Sequence, residues 1–187
     1  MHKKTITAWP DTYNSYHTDV LIAAFVAGPK RFREAVGGLN GEALTTRPRP
    51  GKWSIKEIVA HVTDSEVQAA FRMRMAWAQP GVVWPVYDQD IWAEEHKYQD
   101  LPAADLENLL KLFEALRAVT ASLLRNCTEK DWTRKHGVHP EFGPMTLRNL
   151  LELYSDHSER HIEQVLTIRQ MIGQPLDLPP VLPDRLL

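Results

Sequence analysis

The sequence predicts an all-α protein built as an antiparallel four-helix bundle. Apolar residues recur at three- and four-residue intervals along four long segments, which is the spacing of one helix face. Glycine and proline residues separate these segments, and most of the joints are short, as they are between antiparallel neighbours in a bundle. No half of the chain is rich in strand patterns.

The first two helices have recognisable boundaries. The first extends from about Tyr16 to Val36 and contains Gly28-Pro29, so we predict a kink or two short helices end to end. The second begins after Ser54, which with Glu57 has the spacing of a capping box, and ends at Gln79-Pro80-Gly81.

A long connection, residues 81–101, joins the second and third helices. We predict a short helix around Asp88–Glu95 within it, and because so long a loop in a compact domain is often functional, we expect it to cover one end of the bundle. Its aromatic residues Trp84, Tyr87 and Trp92 fit either packing over the bundle end or a wall of a ligand site.

The third helix begins at Pro102, and the fourth spans Thr146–Ile172. Between them, residues 131–145 contain glycines and prolines that favour a turn or a small hairpin. The proline-rich tail, residues 174–187, cannot form a stable helix. We predict a single domain over residues 1–187, with its core at about 16–173.

The composition excludes several classes of protein. A formal net charge of −2, with acidic and basic residues mixed along the chain, offers no attraction for nucleic acid. The longest apolar stretch, Val20–Val26, is too short to cross a membrane, and no signal-peptide core follows the first residues, so we expect a cytoplasmic protein. The single cysteine, Cys127, is expected to be an unreactive structural thiol.

Three histidines form the candidate metal site. His157 and His161 stand four residues apart on the predicted fourth helix, so their imidazoles project from one face one turn apart. His61 lies at the edge of the apolar stripe of the second helix and supplies a third ligand if the two helices face each other. Ordinary core packing of histidines would give the same pattern.

Two motifs carry a family resemblance. Residues 51–66, GKWSIKEIVAHVTDSE, resemble the first metal motif of the DinB superfamily, and residues 154–162, YSDHSERHI, resemble the second. Residues 85–92, PVYDQDIW, and 139–141, HPE, are similar to the YfiT-like branch. The resemblance extends from about residue 28 to residue 172.

The resemblance implies a four-helix bundle in which His61, His157 and His161 bind zinc, nickel or a similar divalent ion. It also implies a homodimer, which is common in the family. Members of the branch were first described as metal-dependent hydrolases and later linked to bacillithiol transfer. The chain departs from the branch at Glu66, where some relatives have another histidine, and at Arg160-His161, where some have a paired histidine.

Three neutral imidazoles leave coordination positions open, as in a catalytic site. We predict a transferase that activates a low-molecular-weight thiol, bacillithiol or a related one, for attack on an electrophile. A hydrolase that uses metal-bound hydroxide and a non-catalytic metal-binding stress or interaction module are the alternatives. Asp64, three residues after His61, is the candidate that orients an imidazole or accepts a proton. His139 and Glu141 either approach the site from the hairpin or face water.

Overall fold

The computed structural model describes residues 16–182. Residues 1–15 and 183–187, which the sequence analysis assigned to the single domain and its tail, lie outside the described residues. The secondary-structure elements are, in order, α1 (Thr18–Val36), α2 (Gly41–Thr45), α3 (Ile55–Ala78), α4 (Gln89–Glu95), a 3₁₀ helix (Tyr98–Asp100), α5 (Ala103–Arg125), α6 (Glu129–Arg134), β1 (His136–His139), β2 (Gly143–Thr146) and α7 (Leu147–Met171).

The four long helices α1, α3, α5 and α7 form a bundle, which confirms the predicted fold. Helix α1 packs against α5 and α7, and α3 packs against the same two helices. Apolar side chains from all four helices fill the interior in two clusters, one around Phe25 and Leu150 and the other around Phe32 and Ile162. The bundle therefore has a closed ring of helix contacts, with α3 beside α7.

The directions of the helices differ from a wholly antiparallel bundle. Side-chain contacts join α3 to α7 and α1 to α5 in antiparallel order, as the contacts of Arg72 with Tyr154 and of His61 with His157 illustrate for the first pair. Contacts between α3 and α5 run in parallel order, from Thr63–Leu109 to Arg74–Thr120. The contacts between α1 and α7 are also parallel. The antiparallel prediction thus holds for two neighbouring pairs only.

The long connection between α3 and α5 explains this arrangement. Parallel neighbours in a bundle need a crossover that returns the chain to the end from which it started. The segment from Gln79 to Pro102 provides this return, and it contains α4, close to the predicted short helix, with Asp88 as its N-cap. Both α4 and the 3₁₀ helix pack against α3. The connection therefore lies along α3, the helix that carries His61.

Capping interactions fix the starts of the two helices that carry the histidines. In α3, Ser54 Oγ accepts a hydrogen bond from Glu57 N–H, and the Glu57 carboxylate accepts one from Ser54 N–H at 2.8 Å, so the predicted capping box is present. Helix α7 begins after Thr146, whose side chain accepts from Asn149 N–H. Both caps satisfy first-turn amides that have no partner within the helix.

Helix α1 does not divide at Gly28-Pro29, so of the two predicted alternatives the pair of short helices is wrong, while the kink stays a prediction. Pro29 has no N–H, and the carbonyl of Phe25 one turn earlier therefore lacks its helical donor. Arg117 Nη1 on α5 donates to this carbonyl at 2.8 Å. A Cβ at Gly28 would lie 2.7 Å from the same Nη1 atom, so glycine is the residue that admits the guanidinium. Gly28-Pro29 is a docking site for Arg117.

The remaining elements are short. The hairpin of β1 and β2 confirms the small hairpin expected before the last helix, but residues 131–134 belong to α6, contrary to the expectation of a turn there. A capping box between Thr128 and Asp131 begins this helix, which was not predicted; α2 and the 3₁₀ helix were not predicted either. The described part of the tail, residues 174–182, contains no helix, as predicted. None of the described helices is long and apolar enough to span a membrane.

The docking of Arg117 predicts a specific cost for a methyl group at position 28. Gly28→Ala is expected to lower the free energy of unfolding by about 1–3 kcal/mol, because the buried guanidinium has no room to retreat from the new Cβ. The matched control is Gly41→Ala in α2, where a Cβ would meet no atom within 4 Å and unfolding should change little. Urea denaturation of both variants measures the difference. A Gly28→Ala protein at least as stable as the parent would contradict the docking.

Candidate metal centre

The antiparallel packing of α3 on α7 brings three imidazoles together. His61 Nε2 and His161 Nε2 each lie 3.2 Å from His157 Nε2, and the ligand nitrogens of all three residues lie within 4.8 Å of one another. His157 and His161 are adjacent on one face of α7, as their spacing predicts, and His61 faces them from α3. The structure therefore brings together the three histidines that the sequence selected.

The donor set fits a divalent cation. Ligand nitrogens about 2.0–2.1 Å from a tetrahedral ion are about 3.3–3.4 Å apart, which is close to both measured Nε2 separations. Hydrogen bonds alone satisfy the cluster less well, because a single proton on His157 Nε2 can be directed to only one of its two neighbours. Binding of an ion by these residues remains our prediction.

Neighbouring side chains set the orientation of two of the rings. His161 Nδ1 lies 2.9 Å from Gln164 Oε1, an acceptor, so Nδ1 carries the proton and Nε2 presents its lone pair to the cluster. The Trp53 ring packs against His61 with ring centroids 4.6 Å apart. An imidazole that is held by a second hydrogen bond or by packing is a better-oriented ligand.

Burial keeps the three imidazoles neutral, which is the form that binds a metal. Burial lowers the pKa of His61 to about 3, assisted by His161 and Arg160. Burial likewise lowers the pKa of His161 to about 4 and that of His157 well below its ordinary value, with the other two rings adding to the effect at His157. No proton therefore has to leave the folded protein at neutral pH before an ion binds.

An open cleft of about 450 Å³ reaches the cluster at His157. Its walls come from α3, the long connection, the hairpin and α7, including the side chains of Ser65, Arg72, Tyr87, His139 and Tyr154. This volume is within the range of small-molecule sites. His157 is partly exposed, whereas His61 and His161 are buried. A small molecule in the cleft thus has access to the cluster from the His157 side.

Asp64 does not contact the three imidazoles. Its carboxylate accepts a hydrogen bond from Tyr98 Oη and lies 3.6 Å from His96 Nδ1. No contact described between residues 16 and 182 gives it the expected part of orienting a ligand imidazole. The alternative role of Asp64 as a proton acceptor stays a prediction.

The two hairpin residues proposed as possible site residues do lie at the cleft. His139 and Glu141 line it together with His157, although neither belongs to the histidine cluster. Glu141 N–H donates to His139 Nδ1 at 3.1 Å, so His139 carries its proton on Nε2. Burial and the nearby Arg72 lower the pKa of His139, so it is a neutral hydrogen-bond donor and not a cation.

The aromatic residues of the long connection divide between the two expected roles. Trp84 extends from the connection into the core, where it is buried. Its ring packs so closely on Gly137 that a Cβ at that position would lie only 2.0 Å from it. Tyr87 lines the cleft, and its ring packs on that of Trp92 with centroids 4.4 Å apart. The connection therefore supplies one core anchor and one wall of the cleft.

Three side chains near the cluster were not predicted from the sequence: Arg72, Tyr154 and Gln164. A positional signal exists for each: Arg72 lies eleven residues after His61 and thus on the same face of α3, and Tyr154 and Gln164 each lie three residues from a histidine of α7.

Two other residues considered in the sequence lie apart from the cluster. Glu66 pairs with Arg117 at 2.8 Å. Cys127 is outside the cleft, and burial raises its pKa to about 12, which agrees with an unreactive thiol.

A helical bundle with three convergent histidines beneath a cleft defines the class of the molecule. The DinB superfamily family model matches residues 24–165. This chain belongs to the DinB superfamily.

Relatives agree with this assignment over most of their length. A protein of Geobacillus kaustophilus is 32% identical over 166 residues, covering 88% of this chain and 90% of the relative, and one of Oceanobacillus iheyensis is 31% identical over 140 residues, covering 75% and 78%. Both carry the name "Putative metal-dependent hydrolase". The solved structure of YfiT from Bacillus subtilis superposes with a TM-score of 0.77 at 26% identity, covering 85% of this chain and 91% of that one, and its description notes an unusual four-helix bundle topology.

The lowered histidine pKa values predict how the stability of the metal-free protein depends on pH. Each imidazole has a lower pKa when folded than when unfolded, so the unfolded chain binds more protons below about pH 6.5. The free energy of unfolding is therefore unaffected by these rings above about pH 6.5. Below it, the free energy of unfolding decreases as the pH falls, by up to about 1.4 kcal/mol per pH unit for each ring.

Urea denaturation of chelator-treated protein at pH 7.0, 6.0 and 5.0 measures this dependence. His157→Gln should reduce the slope of unfolding free energy against pH relative to the parent protein measured under the same conditions. Equal slopes for His157→Gln and the parent would show that His157 does not titrate as its burial requires.

Proposed function

We propose that this protein is a metal-dependent enzyme in which His61, His157 and His161 hold one divalent cation, zinc or nickel, at the floor of the cleft. The convergence of three neutral imidazoles where the cleft opens onto His157 carries the proposal. Catalytic zinc sites typically have three protein ligands, here three neutral imidazoles, and leave the fourth coordination position for water or substrate. A cation bound there acts as a Lewis acid that lowers the pKa of a thiol or a water molecule.

The reaction we propose is transfer of a low-molecular-weight thiol, bacillithiol or a related one, to an electrophile. The sulfur forms a bond to the electrophilic carbon, the thiol proton passes to solvent, and the leaving group departs with its bonding electrons. The YfiT-like motifs support this choice, and the cleft volume is large enough for a substrate of drug-like size beside the cluster.

The side chains of the cleft would position the reactants and hold protons. Burial raises the pKa of Tyr154 to about 12 and also raises that of Tyr87, so both hydroxyls stay protonated and can donate hydrogen bonds. His139 is a further donor through Nε2. The cleft is therefore rich in donors, which suits a substrate with oxygen acceptors or a leaving group that gains negative charge.

Hydrolysis is the second candidate, because the relatives from Geobacillus kaustophilus and Oceanobacillus iheyensis are both named "Putative metal-dependent hydrolase". It predicts turnover of esters or amides without a thiol. A non-catalytic module predicts metal-dependent melting without turnover of either kind. The homodimer expected from the family resemblance is a separate proposal on which none of these reactions depends.

The test compares thiol-dependent and thiol-independent turnover in one protein. Zinc- and nickel-loaded protein is assayed with a chromogenic aryl halide in the presence of several thiols, and with a nitrophenyl ester in their absence. We expect the aryl halide to be consumed only with thiol, at a rate that falls by at least about 100-fold in His157→Ala, because the substrate side of the cluster is lost.

The control is His17→Ala, which should retain full turnover because His17 is exposed and distant in sequence from the motifs. Ester turnover without thiol dependence would replace the transferase by the hydrolase. Absence of both activities with either metal would contradict an enzyme of these two classes.

A further inference from the structure

Arg72 is a buried cation without a buried anion. Its side chain lies on α3 and is 6% exposed, yet among the residues that the structure describes no carboxylate oxygen lies within 4.0 Å of its guanidinium. Moving a charged group from water into the protein interior without a counter-charge costs on the order of several kcal/mol. A buried arginine without a carboxylate partner in the protein therefore suggests that a bound molecule supplies the negative charge.

The protein partners of Arg72 leave one edge of the guanidinium unsatisfied. Nη1 donates to Tyr154 Oη and Nη2 donates to the carbonyl of Pro85, each at 3.1 Å. Nε is buried and has no hydrogen-bond partner. The Trp84 ring, whose centroid is 6.0 Å from Cζ, adds a weak attraction for the cation but accepts no N–H in the plane of the group.

Other buried arginines of the described chain are compensated. Arg117 Nε pairs with Glu66, and its Nη atoms donate to two main-chain carbonyls. Arg169 Nε and Nη1 together donate to three carbonyls, those of Gln174, Ala35 and Gly37. Only Arg72 of these three combines an unpartnered Nε with a place in the wall of the cleft.

The position of Arg72 relates it to the histidine cluster. The same cleft is lined by Arg72 and by His157, and Tyr154, which accepts from Arg72, is one turn before His157 on α7. Long side chains on a helix lean towards its N-terminus, so Arg72 extends along α3 in the direction of His61. A molecule in the cleft can contact both the guanidinium and the cluster.

We infer that Arg72 binds a carboxylate of the molecule that reacts at the histidine cluster, an inference that rests on the proposed function. A carboxylate in the cleft pairs with the guanidinium of Arg72, whose Nε–H has no protein partner, and supplies the negative charge that this side chain lacks. A phosphate dianion fits less well, because it brings a second negative charge into a cleft that Asp88 and Asp90 also line. Arg72 thereby selects substrates with a carboxylate and fixes their orientation towards His157.

The first experiment observes the Arg72 Nε–H group directly, in chelator-treated protein and without any reaction. Its ¹H–¹⁵N resonance is assigned by its loss in Arg72→Lys, and the protein is titrated with 3-mercaptopropionate and with 2-mercaptoethanol, thiols that differ by the carboxylate. We expect a saturable shift with 3-mercaptopropionate only. No shift, an equal shift with both thiols, or a shift with inorganic phosphate and not with the carboxylate would overturn the inference.

The second experiment compares affinities in zinc-loaded protein by isothermal titration calorimetry. The parent should bind 3-mercaptopropionate at least about tenfold more tightly than 2-mercaptoethanol, as expected for a charge-assisted hydrogen bond. Arg72→Met should reduce this ratio to about one, and Arg72→Lys should keep part of it. The control Arg74→Met, on the exposed side of α3, should leave the ratio unchanged. A carboxylate preference that persists in a folded Arg72→Met protein would contradict the assignment.

These outcomes separate the inference from the proposed function. Carboxylate binding at Arg72 without thiol-dependent turnover would leave the inference standing and reject the transferase. Thiol-dependent turnover with no preference for the carboxylate, before and after substitution of Arg72, would support the transferase and reject carboxylate binding at Arg72.

Discussion

The packing of α3 against α7 is the constraint on which the rest of the structure depends. His61 belongs to one of these helices and His157 and His161 to the other, so the three nitrogens converge only where the two helices meet. The same pair of helices places Arg72 beside Tyr154 further along the seam. Because the two helices are antiparallel, residues that follow His61 on α3 meet residues that precede His157 on α7. The cleft is the open part of this seam.

Polar contacts from α5 and from the long connection support this seam. Arg117 on α5 reaches across the bundle to Glu66 on α3, to the Tyr154 carbonyl on α7 and to the Phe25 carbonyl on α1, so one side chain connects all four long helices. The long connection adds a second support, since Lys56 on α3 donates to the carbonyls of Gln99 and Leu101. A ligand site that must hold nitrogens about 3 Å apart benefits from such fixed surroundings.

Local sequence signals predicted the parts of the site that depend on a single helix. Ser54 and Glu57 identified the start of α3, and the four-residue spacing of His157 and His161 identified their common face, because both are properties of a few adjacent residues. The family motifs then selected His61, which the apolar stripe alone left ambiguous.

The features that were missed depend on contacts between distant segments. Gly28-Pro29 predicts a helix break until Arg117, some ninety positions later, supplies the donor that proline lacks. Helix direction was missed because short joints favour antiparallel neighbours, whereas the path of the 79–102 connection decides the orientation of α5. Arg72 was passed over because an arginine on a helix is ordinarily a solvated residue. Its burial comes from distant segments, Tyr154 on α7 and Pro85 in the connection.

The central claim is that His61, His157 and His161 together hold one divalent ion. The most direct measurement is the zinc content of protein that has been loaded with zinc and then desalted, for the parent and for His61→Ala, His157→Ala and His161→Ala, with His17→Ala as the control. The account predicts about one zinc ion per chain in the parent and control and at least tenfold weaker retention in each of the three variants, as expected when a ligand is removed from a three-histidine site. Full zinc occupancy in all three variants would contradict it.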